Sequence, residues 1–591
     1  MTGRSHRLPL SHGATLLAPE RTLFRFWAPD IASVGLEIAQ EPPRLMQAEA
    51  DGWHRLEVDC GAGTPYRYRI APELAVPDPA SRVQVGDVTG PSVVVDPTSY
   101  TWRNTGWRGR PWHEAILYEA HPGVLGGFCA LADRLPQLVD LGITAVELMP
   151  IADFSGTRNW GYDGVLLFAP DAAYGTPDDL KALVDRAHDL GLMMIQDVVY
   201  NHFGPEGNYL QAYASGFFRS DLHTPWGSAI DFRSPVVRRF FIENALYWLE
   251  EYQFDGLRLD AVQAIPDRDW LLELAAAVRT KFSGQRPVHL ILENDNNDSA
   301  LLEHAFTAQW NDDAHHAAHV LITGETAGYY SDYAADPAAA LARCLAEGFA
   351  FQGEASAYRD GAHRGSPSRH LPSIRFVFFL QNHDQIGNRA LGERLAAFVD
   401  PDVLRVGIAL LLLAPQIPLL FMGEEQGIRD PFLYFTNYDG DLAEAVKNGR
   451  RKEFGKFPEF STAEAQRRIP DPNRAETFER SKPAFDNDDE RARGWLDFYR
   501  RLIALRRFAI VPRLEGAHAI DAQVLAPAAL QVRWTLGDGA ELTLAMNFSA
   551  DSVPFRTRPG NRIFTCGAID GDTAMERLPG KSFLAVLRET A

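Results

Sequence analysis

Phe254-Asp255-Gly256-Leu257-Arg258-Leu259-Asp260 reads as a short buried strand that ends in a carboxylate. Arg258 and Asp260 lie two residues apart and therefore project from the same face. A carboxylate at the end of a buried run is costly unless it has a partner or a purpose. One alone is usually a cap or an ion-pair member. Here the pattern repeats outward in both directions. The run 192–198 leads into Asp197-Val198-Val199-Tyr200-Asn201-His202, the run 288–293 ends Ile291-Leu292-Glu293, and the run 374–381 leads into Gln381-Asn382-His383-Asp384. Acids at the same end of four strands point to a site.

Further apolar runs at 115–121, 143–149, 305–310 and 417–422 bring the set to eight. Amphipathic stretches at 177–190, 235–252 and 267–282 separate them, which is the texture of βα units around a parallel sheet. The expected fold is α/β, a (β/α)8 TIM barrel over about 310 residues with insertions. Its last helix falls at 492–507, after a long polar insertion from Gly423. The apolar run 408–421 contains Pro415, Gln416 and Pro418, so it reads as a buried helix end followed by a buried strand, not a membrane span. Residues 1–105 show short alternating runs (22–27, 34–38, 66–70) between turn signals such as Ala50-Asp51-Gly52 and Gly61-Ala62-Gly63, the marks of a small β-sandwich. Alternation returns at 531–536 and 540–547. Three units are expected: an N-terminal β-sandwich at 1–105, a barrel at 106–510 and a C-terminal β-sandwich at 511–591.

The bulk composition bounds the partners. A chain of 591 residues is too long for one core. A net charge of -20 argues against nucleic acid and anionic membrane, and suits a neutral substrate. Residues 1–17 carry Arg4 and Arg7 without an apolar core, so no signal peptide is expected and the cytoplasm is the default. Cys60, Cys129, Cys344 and Cys566 form no CxxC pair, which indicates neither a zinc site nor a disulfide framework.

Paired carboxyls suit glycosidic cleavage, which needs one ionised group and one protonated group flanking the bond. The positive charge of Arg258 should hold Asp260 ionised, while the nearby negative Asp260 should raise Glu293 and fit it to act as the acid. Asp384 and His383 would grip sugar hydroxyls and favour positive charge at the anomeric carbon.

These four segments resemble the signature regions of the α-amylase superfamily. The resemblance implies Asp260 as nucleophile, Glu293 as acid/base and Asp384 as transition-state stabiliser. It implies that Arg258, His202 and His383 line the sugar site, with Asp197 orienting them from behind. Phe24-Arg25-Phe26-Trp27-Ala28-Pro29 resembles the entry strand of the N-terminal module of branching and debranching enzymes, which either packs or binds sugar. Other stretches are similar to the maltooligosyltrehalose trehalohydrolase family. They include Val76-Pro77-Asp78-Pro79-Ala80-Ser81-Arg82, Asn159-Trp160-Gly161-Tyr162-Asp163-Gly164, Thr224-Pro225-Trp226-Gly227, Trp310-Asn311-Asp312-Asp313-Ala314-His315-His316 and Asn382-His383-Asp384-Gln385-Ile386-Gly387-Asn388. That likeness implies hydrolysis of the α-1,4 bond next to the terminal trehalose of maltooligosyltrehalose. The loop His121-Pro122-Gly123-Val124-Leu125-Gly126-Gly127-Phe128 is shorter than that family's, which bears on subsite preference. Two rivals stand beside this reading: an α-1,4-glucan branching enzyme, and a catalytically dead barrel that only binds carbohydrate.

His315, His316 and His319 beside Asp312 and Asp313 raise the question of metal, yet Ala stands where a metalloprotease would place its Glu. Sugar binding by Asp312, Asp313 and His316 is the expectation. Asn201 matches a position that binds calcium in many α-amylases, but its surroundings are poor in Asp for a cage of oxygens. No metal and no cofactor are expected. Among the aromatics Trp160, Tyr162, Trp226, Trp310 and Phe351, Tyr162 is the expected partner of the sugar at the cleaved bond. Gln385 and Asn388 join Asp312, Asp313 and His316 as candidates for reading the trehalose hydroxyls.

Overall fold

The computed structural model describes residues 8–39, 41–224, 227–485, 489–556, 559–569 and 575–589. Residues 1–7, including Arg4 and Arg7, and the Pro225-Trp226 pair lie outside the described residues.

All eight expected barrel strands form, in order: β1 (Leu117–Ala120), β2 (Ala145–Leu148), β3 (Met193–Val198), β4 (Gly256–Leu259), β5 (His289–Leu292), β6 (Ala308–Trp310), β7 (Phe376–Phe378) and β8 (Ile417–Phe421). They are parallel, and β8 pairs with β1 to close the barrel. The strands read as near-continuous apolar runs because both of their faces are buried. Leu117, Ala145, Met193, Ile195, Ile291, Ala308, Val377 and Leu419 form a core inside the barrel, while Tyr118, Val146, Met194 and Leu292 join the core under the helices. Two residues past the inner apolar layer, the same faces turn polar, at Glu119, Glu147, Asp197 and Glu293. That step from apolar to charged builds the floor of the site.

The helices start where local chemistry allows. Pro177–Asp189 begins with Pro in its first turn and a reciprocal cap between Thr176 and Asp179. Pro401–Leu413, capped by Asp400, is buried through its last eight residues and leads directly into β8. The fully buried Arg506 donates to the carbonyls of Leu412, Ala414 and Gln416, which satisfies the helix end that the apolar connection cannot.

The N-terminal region is a sandwich of two antiparallel sheets. One holds Gly13–Ala18, Arg21–Trp27, Trp53–Val58 and Gln47–Ala48, the other Arg44–Leu45, Gly35–Ile38, Pro65–Ala71 and Leu74–Val76. Phe24 on Tyr66 and Phe26 on Tyr68 join them, with ring centroids 4.8 and 4.1 Å apart. At the C-terminal end, one sheet of five antiparallel strands spans His518–Ala526 to Ser582–Arg588. Among the described residues its second layer is a ribbon of Val553–Pro554 and Arg577–Leu578. Helices Pro337–Glu347 and Pro401–Leu413 of the barrel also pack on this sheet, so a full second sheet is not required. Among the described residues no helix is long and apolar enough to cross a membrane.

Candidate active site

Arg258 organises the C-terminal end of the barrel. It stands directly across from Asp197 in the pairing of β4 with β3, is 1% exposed, and lies 4.2 Å above the centre of the Trp310 ring. Its Nη1 donates to Asp197 Oδ2 at 2.6 Å and to Asp260 Oδ1 at 2.9 Å, and its Nη2 donates to Glu293 Oε2 at 2.7 Å. Asn201 holds the other side of Asp260, its amide donating to Oδ2 at 2.8 Å and to the backbone carbonyl at 2.9 Å. Glu293 also accepts from the Ala261 N–H at 2.9 Å. Ala261 adopts φ 41°, ψ 49°, a left-handed conformation that costs an alanine of order 1–3 kcal/mol. The strained turn directs its N–H at the carboxyl.

Burial raises both Asp260 and Glu293 above the usual carboxylate range, and Arg258 opposes it in both. The expectation that Arg258 governs Asp260 is thereby corrected, since dehydration outweighs the guanidinium. The neighbours of the two acids differ: Asp197 raises Asp260 and the Asn201 amide lowers it, while the Asp260 charge raises Glu293 and the Ala261 N–H lowers it. The negative charge of Asp260 beside it favours a proton on Glu293.

Other predicted residues converge here. His383 Nδ1 lies 2.5 Å from Glu119 Oε1, and its N–H donates to Glu119 Oε2 at 3.0 Å. Tyr162 stacks on His383 with centroids 5.0 Å apart and donates its hydroxyl to Asp197 at 2.7 Å. His202 contacts the Asn201 side chain through Nδ1 and the Tyr162 carbonyl through Nε2. Asn388 donates to Asp384 Oδ1 at 2.6 Å. Burial raises Asp384, and the His383 charge beside it pulls the other way.

The segment after β6 divides. Asn311 caps the helix Asp312–Thr323. Asp312 is half-buried, and dehydration with Glu293 and Asp384 nearby pushes its carboxyl up to about 8. Asp313 does not belong to the cleft, which corrects the expectation from sequence. It is 0% exposed; four donors surround it, Asn297, the N–H groups of Ala350 and Phe351, and Tyr333, and the Arg364 guanidinium pairs with it at 2.9 Å. His316, 8% exposed, also turns inward, its ring 4.7 Å from that of Tyr329. His319 stacks on Tyr330 at 4.2 Å and meets Glu325 at 2.8 Å, while His315 reaches the Tyr330 hydroxyl. These imidazoles serve an aromatic cluster. Among the described residues no group of three or more His, Cys, Asp or Glu is arranged to hold a metal ion. Gln385 Oε1 accepts from Tyr329 at 3.2 Å. Trp160 is core, its indole donating to the Leu433 carbonyl at 2.9 Å, and Phe351 is half-buried beneath Arg364.

Asn201, Glu119 and Glu147 were absent from the sequence-derived site. Glu147 sits beside Glu119 in the β1–β2 pairing. It is 1% exposed, and neither carboxyl oxygen has a hydrogen-bond partner among the described residues. Burial above all, then Glu119 and Asp197, raise it well beyond the usual range, with Arg258 opposing. Its pKa is higher folded than unfolded, so it favours folding least at high pH. Stability is lost as pH climbs from the unfolded value of about 4.3 towards the folded one, at up to about 1.4 kcal/mol per pH unit. Glu147→Gln keeps the shape without that proton. We expect its advantage in melting temperature over the parent to grow between pH 5 and pH 8, with kcat nearly unchanged. A difference in melting temperature that stays flat from pH 5 to pH 8 would mean that Glu147 is charged in the fold.

A family model described as the alpha amylase catalytic domain matches residues 97–221, and one described as DUF3459, a domain of unknown function, matches residues 517–584. The chain is 40% identical over 498 residues to a malto-oligosyltrehalose trehalohydrolase of Deinococcus radiodurans, covering 82% of this chain and 81% of that protein. It is 37% identical over 598 residues to one from Rhizobium sp. (strain M-11), covering 96% and 97%. A crystal structure from Salmonella typhimurium, which carries the provisional name of an alpha amylase, matches with a TM-score of 0.93 at 45% identity, over 98% of this chain and 100% of that one.

Proposed function

We propose that this chain, which belongs to the malto-oligosyltrehalose trehalohydrolase family, cleaves the α-1,4-glucosidic bond next to the terminal trehalose of maltooligosyltrehalose with retention of configuration. The observation that supports the reaction is the Arg258 guanidinium, whose two terminal nitrogens donate to Asp260 and to Glu293 and so hold the two carboxyls side by side, the paired arrangement that a retaining enzyme uses. Glu293, the protonated partner, gives its proton to the glycosidic oxygen as the bond to the anomeric carbon breaks. Asp260 attacks that carbon and forms a glycosyl ester. Glu293 then takes a proton from water, whose oxygen displaces Asp260 and restores the α configuration.

Asp384, steadied by Asn388, stabilises the positive charge that develops in between. Tyr162, His383 and His202 hold the glucose at the cleaved bond, and Arg258 lines the floor beneath it by fixing the acids. Asp312 and Gln385 remain the candidates for reading the leaving trehalose. A neutral oligosaccharide suits a chain of net charge -20.

The reaction is tested by proton NMR of maltooligosyltrehalose hydrolysis from its first minutes. We expect trehalose and a maltooligosaccharide whose new reducing end appears first as the α-anomer. A first burst of β-anomer would overturn retention. Products carrying new α-1,6 branches, without free trehalose, would favour the branching-enzyme alternative.

A further inference from the structure

Glu119 lies on β1, beside Glu147 on β2 and three strands round the barrel from β4, which leads into Asp260. Both of its oxygens are committed to one residue: Oε2 accepts the His383 backbone N–H and Oε1 meets Nδ1 of the same ring. Two hydrogen bonds accepted by one carboxylate fix both the start of the helix His383–Gly387 and the plane of the imidazole. With Nδ1 spent in this way, Nε2 is the ring nitrogen left to meet a substrate. Whether it donates or accepts depends on the charge of the ring.

We propose that Glu119 is a positioning residue that keeps His383 doubly protonated, so that Nδ1 donates to Glu119 and Nε2 donates to a hydroxyl of the glucose at the cleaved bond. The inference rests on the glycosidase reading above. The charged and titratable groups that face His383 come from five elements: Glu119 on β1, Asp384 on its own helix, Arg258 on β4, Asp197 on β3 and His121 after β1. Tyr162 covers one face of the ring, and Trp160 meets it edge-on at 5.4 Å. Burial and Arg258 both work against a positive ring, while Glu119 and Asp384 favour it, and the balance lies above the ordinary value of 6.5. Glu119 is the group in direct contact with the ring. Without its charge, burial would leave the imidazole neutral and free to hold its one proton on either nitrogen. A donor aimed at a sugar hydroxyl matters because such bonds strengthen as the oxocarbenium-like state forms.

Two measurements test this. In the parent protein with 15N-labelled histidine, the His383 signal is assigned by its loss in His383→Gln. Both ring nitrogens should carry protons at pH 7, and the ring should lose one only well above that. A ring that is neutral at pH 7 would overturn the proposal without reference to activity. The second is the pH profile of Glu119→Gln on maltooligosyltrehalose. We expect kcat to fall by about 10- to 100-fold at pH 7.5, less than for loss of a direct transition-state donor. The deficit should shrink towards pH 5.5 as the ring regains its proton, and Glu119→Asp should recover part of the rate. A deficit of equal size at every pH would show a purely structural role and overturn the proposal. Failure of the parent itself to release trehalose, with the NMR signature intact, would count against the reaction and not against Glu119.

Discussion

Asp260→Ala and Glu293→Gln should each lower kcat on maltooligosyltrehalose by more than about 10^3-fold while leaving a folded protein. The two variants remove different things. Asp260→Ala deletes the attacking oxygen, but Arg258 keeps Asp197 and Glu293 as partners, so the guanidinium is not stranded. Glu293→Gln preserves an oxygen to accept from Arg258 and from the Ala261 N–H, and loses only the transferable proton. Local geometry should therefore survive better in Glu293→Gln. Steady-state kinetics paired with thermal melts separates chemistry from unfolding. A variant at either position that retained more than a tenth of parental kcat, with a normal melt, would remove that residue from its assigned role.

The barrel was legible because its strands are short apolar segments buried on both faces, and each ends where the sequence turns charged. The rule that picked out Asp260 and Glu293 also marks Glu119, an acid in the buried run Leu117-Tyr118-Glu119-Ala120, and Glu147 in Ala145-Val146-Glu147-Leu148. These two sit within their strands and not at the ends, so a reading of strand ends alone misses them. Asn201 was weighed only as a calcium ligand, and its contact with Asp260 depends on how the turn after β3 folds back. The second layer of the C-terminal unit was hidden for another reason. Alternation reveals that a strand has one buried face, but it cannot say whether a sheet or a barrel helix covers that face.

The pair Asp312-Asp313 shows the limit most sharply, and it leads to the second large effect. Consecutive residues on a helix point about 100° apart, so the same local sequence sends one carboxyl into the cleft and its neighbour into the core. The partners that receive Asp313 come from far along the chain, among them Arg364, whose Nη2 lies 2.9 Å from Asp313 Oδ1. Asp313 ties together Asn297 after β5, the turn at Ala350-Phe351, Tyr333 and Arg364. Asp313→Ala would take one of two carboxylate partners from the buried Arg364 and leave several donors unmet. Breaking such a pair from one side destabilises by about 3–5 kcal/mol. We therefore expect Asp313→Ala to melt well below the parent, with losses of activity similar on maltooligosyltrehalose and on a plain maltooligosaccharide of equal length. Asp313→Asn, which can still accept some of these hydrogen bonds, should fall between the two in stability. Arg364 also reaches Asp295, so part of its compensation survives and the lower end of that range is the better expectation. If Asp313→Ala instead melted like the parent and lost activity on maltooligosyltrehalose alone, the carboxyl would have to face the trehalose after all.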